Sequence, residues 1–154
     1  MKKLSIKKSS RYVPKGVDIK DIILGDDVVG YIYPVEGDDD RGIWQINNNR
    51  ECKRNGWVET PNGFAVELEE NSVYLRKIFK DLTGQQHYEG VNFFYYERSS
   101  IITIFPTLNE ARKFARGNFG TPHKLRSYFV EVILATMRRR ADRHIQRELN
   151  NGES

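Results

Sequence analysis

Arg139, Arg143 and Arg147 recur at four-residue steps near the end of the chain, with Arg138 and Arg140 beside them. Residues four apart share one face of a helix, so this spacing stacks three guanidinium groups in a row. A guanidinium is weakly hydrated and forms forked hydrogen bonds with phosphate oxygens, so such a row suits a polyanion and the release of its counterions. A second basic group, Lys2, Lys3, Lys7, Lys8, Arg11 and Lys15, opens the chain. Helix and basic segment together have the electrostatic footprint of a nucleic-acid-binding protein.

The charges are segregated along the chain. Residues 1–20 carry seven bases against one acid, a net of +6; residues 21–50 carry two bases against seven acids, a net of −5. Residues 51–100 carry six bases against eight acids, and residues 101–154 carry ten against five. The ends are therefore basic and the middle acidic, inside an overall charge of +4. Cations are also stabilising near a helix C-terminus on their own account, so the arginines have a purely structural use as well.

Other residue types offer less. The acids Asp26, Asp27, Glu36, Asp38, Asp39 and Asp40 supply the oxygens a hard cation uses, but no Gly or Glu follows at EF-hand spacing, so they read as acidic turns and no metal is expected. His87, His123 and His144 are dispersed. Cys52 has basic neighbours able to lower its pKa, yet no local signature ties a His or Asn to it. There is no phosphate-cradling glycine loop and no nucleophile elbow, so neither a catalytic residue nor a cofactor is expected. Tyr31, Tyr33, Trp44 and Phe93 to Tyr96 fall on expected strands; Tyr31 and Tyr33 would be able to stack bases on an open face shared with Trp44 or Tyr96, against the alternative of a helix covering that face.

The elements that position these residues follow from periodicity. A length of 154 residues with 38% hydrophobic and 12% aromatic residues is enough for one packed domain. Residues 1–16 read as a basic flexible arm, residues 17–149 as a single α+β domain and residues 150–154 as a disordered tail. β-branched runs at Ile19 to Leu24, Val28 to Val35 and Gly42 to Ile46 predict a meander, and Trp57 to Glu59 with Phe64 to Leu68 predict a hairpin. Val91 to Tyr96 and Ile101 to Phe105 predict a central strand pair.

Helical spacing appears over Val73 to Leu82, closed by Gly84, and again after Thr107, where Glu110 completes a capping box and Gly117 is the expected stop. Thr121 with Pro122 starts a run to about Leu149 without Pro or Gly, its first half apolar and its second basic. The expected fold class is thus α+β, with about five to seven short antiparallel strands, two short helices and a long C-terminal helix. With one cysteine, no internal disulfide and no apolar run of membrane-spanning length, a reducing cytoplasm without a membrane anchor is the expectation.

Ile101 to Ala115, a strand followed by Phe-Pro-Thr-Leu-Asn-Glu-Ala-Arg-Lys-Phe-Ala, resembles the strand-to-helix junction of small phage-encoded and mobile-element proteins, among them the three-stranded arm-binding domains of phage-type integrases. The resemblance covers about a tenth of the chain, implies a bacterial or phage origin and places no functional residue.

Two functions follow as expectations. The first is a small nucleic-acid-binding accessory protein, holding DNA or RNA phosphates with the basic segment and with Arg138, Arg139, Arg140, Arg143 and Arg147. The alternative is a protein-binding module, such as a phage-type inhibitor or adaptor. It would act through Leu125, Phe129, Val132, Ile133 and Met137 on a protein partner or a second copy, because Leu125 to Met137 holds more apolar residues than one stripe requires.

Overall fold

A computed structural model describes residues 3–9, 18–38, 43–46, 63–85 and 101–152. Among the described residues six strands form one antiparallel sheet: β1 (Leu4–Lys8), β2 (Lys20–Leu24), β3 (Asp27–Asp38), β4 (Ile43–Ile46), β5 (Gly63–Leu68) and β6 (Ile102–Phe105). Three helices among the described residues accompany it: α1 (Val73–Thr83), α2 (Leu108–Phe119) and α3 (Pro122–Gly152). The order across the sheet is β1-β2-β3-β5-β6, with β4 also paired to β3. At 12 residues β3 is long enough to serve β2 with its first half and β4 with its last, while β5 runs along its other edge. The α+β class and the long C-terminal helix are as the sequence predicts.

Alternation along the strands decides what the helices cover. Leu4, Ile6, Ile22, Leu24, Ile32, Val66 and Leu68 belong to one core, which also takes Leu75, Ile78 and Phe79 from α1, Ala111, Ala115 and Phe119 from α2, and Leu125, Phe129 and Ile133 from α3. The three described helices thus bury their apolar stripes against the same sheet face. The opposite face gathers Tyr33, Val35 and Ala65, with Ile19, Tyr31, Ile102 and Ile104 around them.

Local chemistry sets the boundaries. Gly25, at φ 67°, opens the two-residue turn between β2 and β3, a conformation that side-chain-bearing residues rarely adopt. Gly84, at φ 77°, ends α1 and donates its N–H to the Lys80 carbonyl. The Thr107 hydroxyl accepts from the Glu110 N–H at 3.2 Å and that of Thr121 from the Lys124 N–H at 3.1 Å, so both expected N-caps are formed.

Four expectations differ from the structure. Residues 4–8, read as arm, pair in register with β2 from Leu4–Leu24 to Lys8–Lys20. Their sequence looks arm-like because an edge strand buries only alternate side chains and keeps lysines outside. Gly117 does not stop α2, which continues to Phe119; a glycine costs only about 1 kcal/mol inside a helix, and the extra residues bring Phe119 into the core. Helix α3 runs to Gly152, past the expected end near Leu149 and into the expected tail. Among the described strands β6 lies at the end of the sheet and not at its centre; its expected partner Val91 to Tyr96 lies outside the described residues.

Candidate nucleic-acid interface

Helix α3 changes character along its length. Leu125, Phe129, Val132 and Thr136 step by four, three and four residues, the spacing of a single helical stripe. Leu125, Phe129 and Thr136 are fully buried and Val132 partly so. The same stripe continues through Arg139, Arg143 and Arg147, by three, four and four. The face that anchors the helix to the core is therefore apolar in its first half and cationic in its second.

The helix also leaves the core between those halves. Every residue from Ala141 to Gly152 is exposed. At 1.5 Å per residue this is a projecting end of roughly 18 Å. From Met137 to Gly152 the helix carries five arginines against Asp142 and Glu148, a local net charge of +3. The Arg139 guanidinium donates to the Thr136 hydroxyl at 3.3 Å, which ties the row to the end of the buried stripe. Along the projecting end His144 approaches Glu148 at 4.0 Å and Gln146 donates to Asn150 at 3.4 Å, both one turn apart.

The basic group of the N-terminal segment is placed differently. Lys3, Lys7 and Lys8 are exposed, Lys7 and Lys8 on the edge strand β1, where Lys7 stands opposite Asp21. Lys2, Arg11 and Lys15 lie outside the described residues. Strand β1 fixes its lysines to the sheet, and α3 carries its arginines away from the helical layer.

The apolar residues expected to dock a partner are divided. Leu125, Phe129 and Ile133 are fully buried in the protein's own core, so they are not a docking surface; Val132 is partly buried and Met137 is exposed. The excess of apolar residues over Leu125 to Met137 arises because the N-terminal half of α3 packs against both α1 and α2. Tyr74 of α1 donates its hydroxyl to the Pro122 carbonyl at 3.0 Å. Tyr128 sits against Phe114 and Phe119 of α2 at ring distances of 5.5 Å. Burial there pushes the Tyr128 hydroxyl above its ordinary pKa of 10.0, and its contact with the Thr103 hydroxyl pulls the other way.

The expected base-stacking surface is also occupied in part. Tyr33 is buried and donates its hydroxyl to the Glu67 carboxylate at 2.9 Å, while Tyr31 lies beside it, partly exposed, with ring centroids 5.5 Å apart. Trp44 is on β4, and Tyr96 lies outside the described residues, as do Cys52, His87, Asp39 and Asp40. His123 and His144 are not buried. Among the described residues no group of three or more His, Cys, Asp or Glu side chains could hold a metal ion, and no helix is long and apolar enough to cross a membrane.

Two roles escape sequence reasoning. Asp27, one of the turn acids, caps α1. Its carboxylate accepts from the Ser72 hydroxyl at 2.8 Å and from the Val73 and Tyr74 N–H groups at 3.2 and 3.0 Å, placing negative charge at the positive end of the helix dipole. Some 45 residues separate it from Ser72, so no local pattern announces it. Asp21 is 4% exposed, and its Oδ1 accepts no hydrogen bond from any described residue. The Ile-Ile-Leu run that follows Asp21 marks a strand, but alternation alone does not say whether its polar face is covered.

Comparison with known proteins yields no match: no family model, no curated protein and no solved structure is similar to the chain.

Proposed function

We propose that this chain is a small nucleic-acid-binding protein whose projecting α3 end, through Arg139, Arg143 and Arg147 with Arg138 and Arg140 beside them, lies along a phosphate backbone. One observation carries the reading: the stripe that anchors α3 to the core turns cationic where the helix leaves the core. Four-residue steps in an exposed helix set successive arginines about 6 Å apart along its axis. Lys3, Lys7 and Lys8 on the rim of the sheet would add phosphate contacts as a second, separate group. Contacts of this type carry affinity and little base preference.

The test is fluorescence anisotropy with labelled single- and double-stranded DNA and RNA at several salt concentrations. Binding should weaken steeply with salt. Replacing Arg139, Arg143 and Arg147 together by Glu should abolish retention at moderate salt. Replacing them by Gln should lower the slope of log K against log[salt] by about 3, near 0.9 for each phosphate that is no longer neutralised on duplex DNA. These positions lie in the second half of α3, so the circular dichroism of the variants should match the parent. Unchanged affinity in the Glu variant would remove α3 from the interface, and no binding at low salt would end the proposal.

A further inference from the structure

The face of α3 opposite the arginine row is apolar and uncovered. Leu134, Met137, Ile145 and Leu149 are 47%, 43%, 55% and 58% exposed. With exposed Ala141 between them they step by three, four, four and four residues, a stripe that stays within about a third of the helix circumference. The stripe points away from the core, because Leu125, Phe129 and Thr136 occupy the other side of the same helix.

We propose that this stripe is the contact between two copies of the chain, whose α3 helices pair antiparallel about a two-fold axis at Ala141. The spacing is its own complement. Met137 and Ile145 lie four residues on either side of Ala141, and Leu134 and Leu149 lie seven and eight away. Antiparallel pairing therefore sets Met137 against Ile145 and Leu134 against Leu149 of the second copy. The small residue at the axis lets the backbones come close. A two-fold contact of this kind uses one patch twice and closes, as isologous interfaces do.

The charges on the flanks of the stripe suit a second copy. Arg138 and Asp142 border the stripe on one flank, and Glu148 borders it on the other. In an antiparallel pair like flanks meet, so Arg138 of each copy comes within about one helical turn of Asp142 of the other, giving two symmetric ion pairs. The inference rests on the face opposite Arg139, Arg143 and Arg147; it shares only Arg138 with the nucleic-acid reading, and its test is run without nucleic acid.

Sedimentation velocity of the full chain over a range of protein concentrations, without nucleic acid, tests it. The parent should shift from monomer to dimer as concentration rises. Ile145→Asp should sediment as a monomer throughout, with unchanged circular dichroism and with the melting temperature of the parent at dilutions where the parent is monomeric, because Ile145 is exposed in the single chain. Arg138→Asp and Asp142→Arg should each weaken the dimer roughly tenfold, and the double exchange should restore it. A parent that stays monomeric at the highest soluble concentration, or a dimer that survives Ile145→Asp, overturns the proposal. So does a monomeric parent that binds phosphatidylserine–phosphatidylcholine vesicles and ceases to do so with Ile145→Asp, an outcome that would assign the stripe to a lipid surface.

Discussion

Gly30 is the position at which the fold leaves least room. It lies in β3, opposite Ile22 of β2 and Leu68 of β5. A Cβ placed there would stand 2.6 Å from the Glu67 carbonyl oxygen, 3.1 Å from Cε2 of Phe119 and 3.5 Å from Cδ1 of Ile22. Neither of the first two can yield cheaply. The carbonyl belongs to β5, which is paired on both sides, and the Phe119 ring is 1% exposed. Forcing one methyl into such a site costs about 1–3 kcal/mol, while alanine regains about 0.5–1 kcal/mol of chain entropy in a strand. The 2.6 Å contact with a backbone oxygen puts the cost of the methyl at the upper end of its range, so Gly30→Ala should lose about 2–2.5 kcal/mol, which for a chain of this size lowers Tm by roughly 4–10 °C. Urea unfolding followed by circular dichroism reads the first quantity, and differential scanning calorimetry the second. Adding Phe119→Leu should relieve the clash with the ring but not the one with the carbonyl, so the double variant should lose less than the sum of the single losses. A Gly30→Ala protein as stable as the parent would refute the close approach of the Glu67 carbonyl and the Phe119 ring to Gly30.

Two further outcomes follow from burial. Phe129 is fully buried, so Phe129→Ala should cost about 3–5 kcal/mol, a large share of the roughly 5–15 kcal/mol typical of a domain. Phe129→Asp should unfold the chain; a folded Phe129→Asp protein with altered oligomeric state would instead make that face a docking surface. Tyr128, whose pKa is raised by burial, keeps its proton in the folded chain at pH values where the unfolded chain ionises. Its contribution is thus intact below about pH 10 and disappears as pH rises through the folded value, so the parent should lose more stability across that range than Tyr128→Phe does. Urea midpoints measured on both sides of about pH 10 test this, and equal losses in the two proteins would contradict it.

Much of the architecture is legible in short stretches of sequence, because the signals that start and stop elements act over a few residues. Thr107 with Glu110, Thr121 with Pro122, and Gly84 mark helix ends through bonds spanning three or four positions, and they do so whatever the rest of the chain does. The β-branched runs of β2, β3 and β5 announce strands for the same reason. The arginine row is visible too, since its four-residue spacing needs only a helix.

What the tertiary structure alone decided is which neighbour each surface has. Periodicity says that Leu125, Phe129 and Ile133 share a helix face, but the same pattern serves a core or a docking surface until α1 and α2 are seen lying against it. Asp27 looks like any turn acid until the chain returns 45 residues later to place the N-terminus of α1 on its carboxylate. Residues 4–8 look like an arm until β2 supplies hydrogen-bond partners, and Gly117 looks like a stop until Phe119 finds its place over Gly30. Local sequence determined the elements and their charges; contacts between residues far apart in the chain determined which faces are core and which are left for a partner, because burial depends on what packs opposite and not on the pattern of either segment.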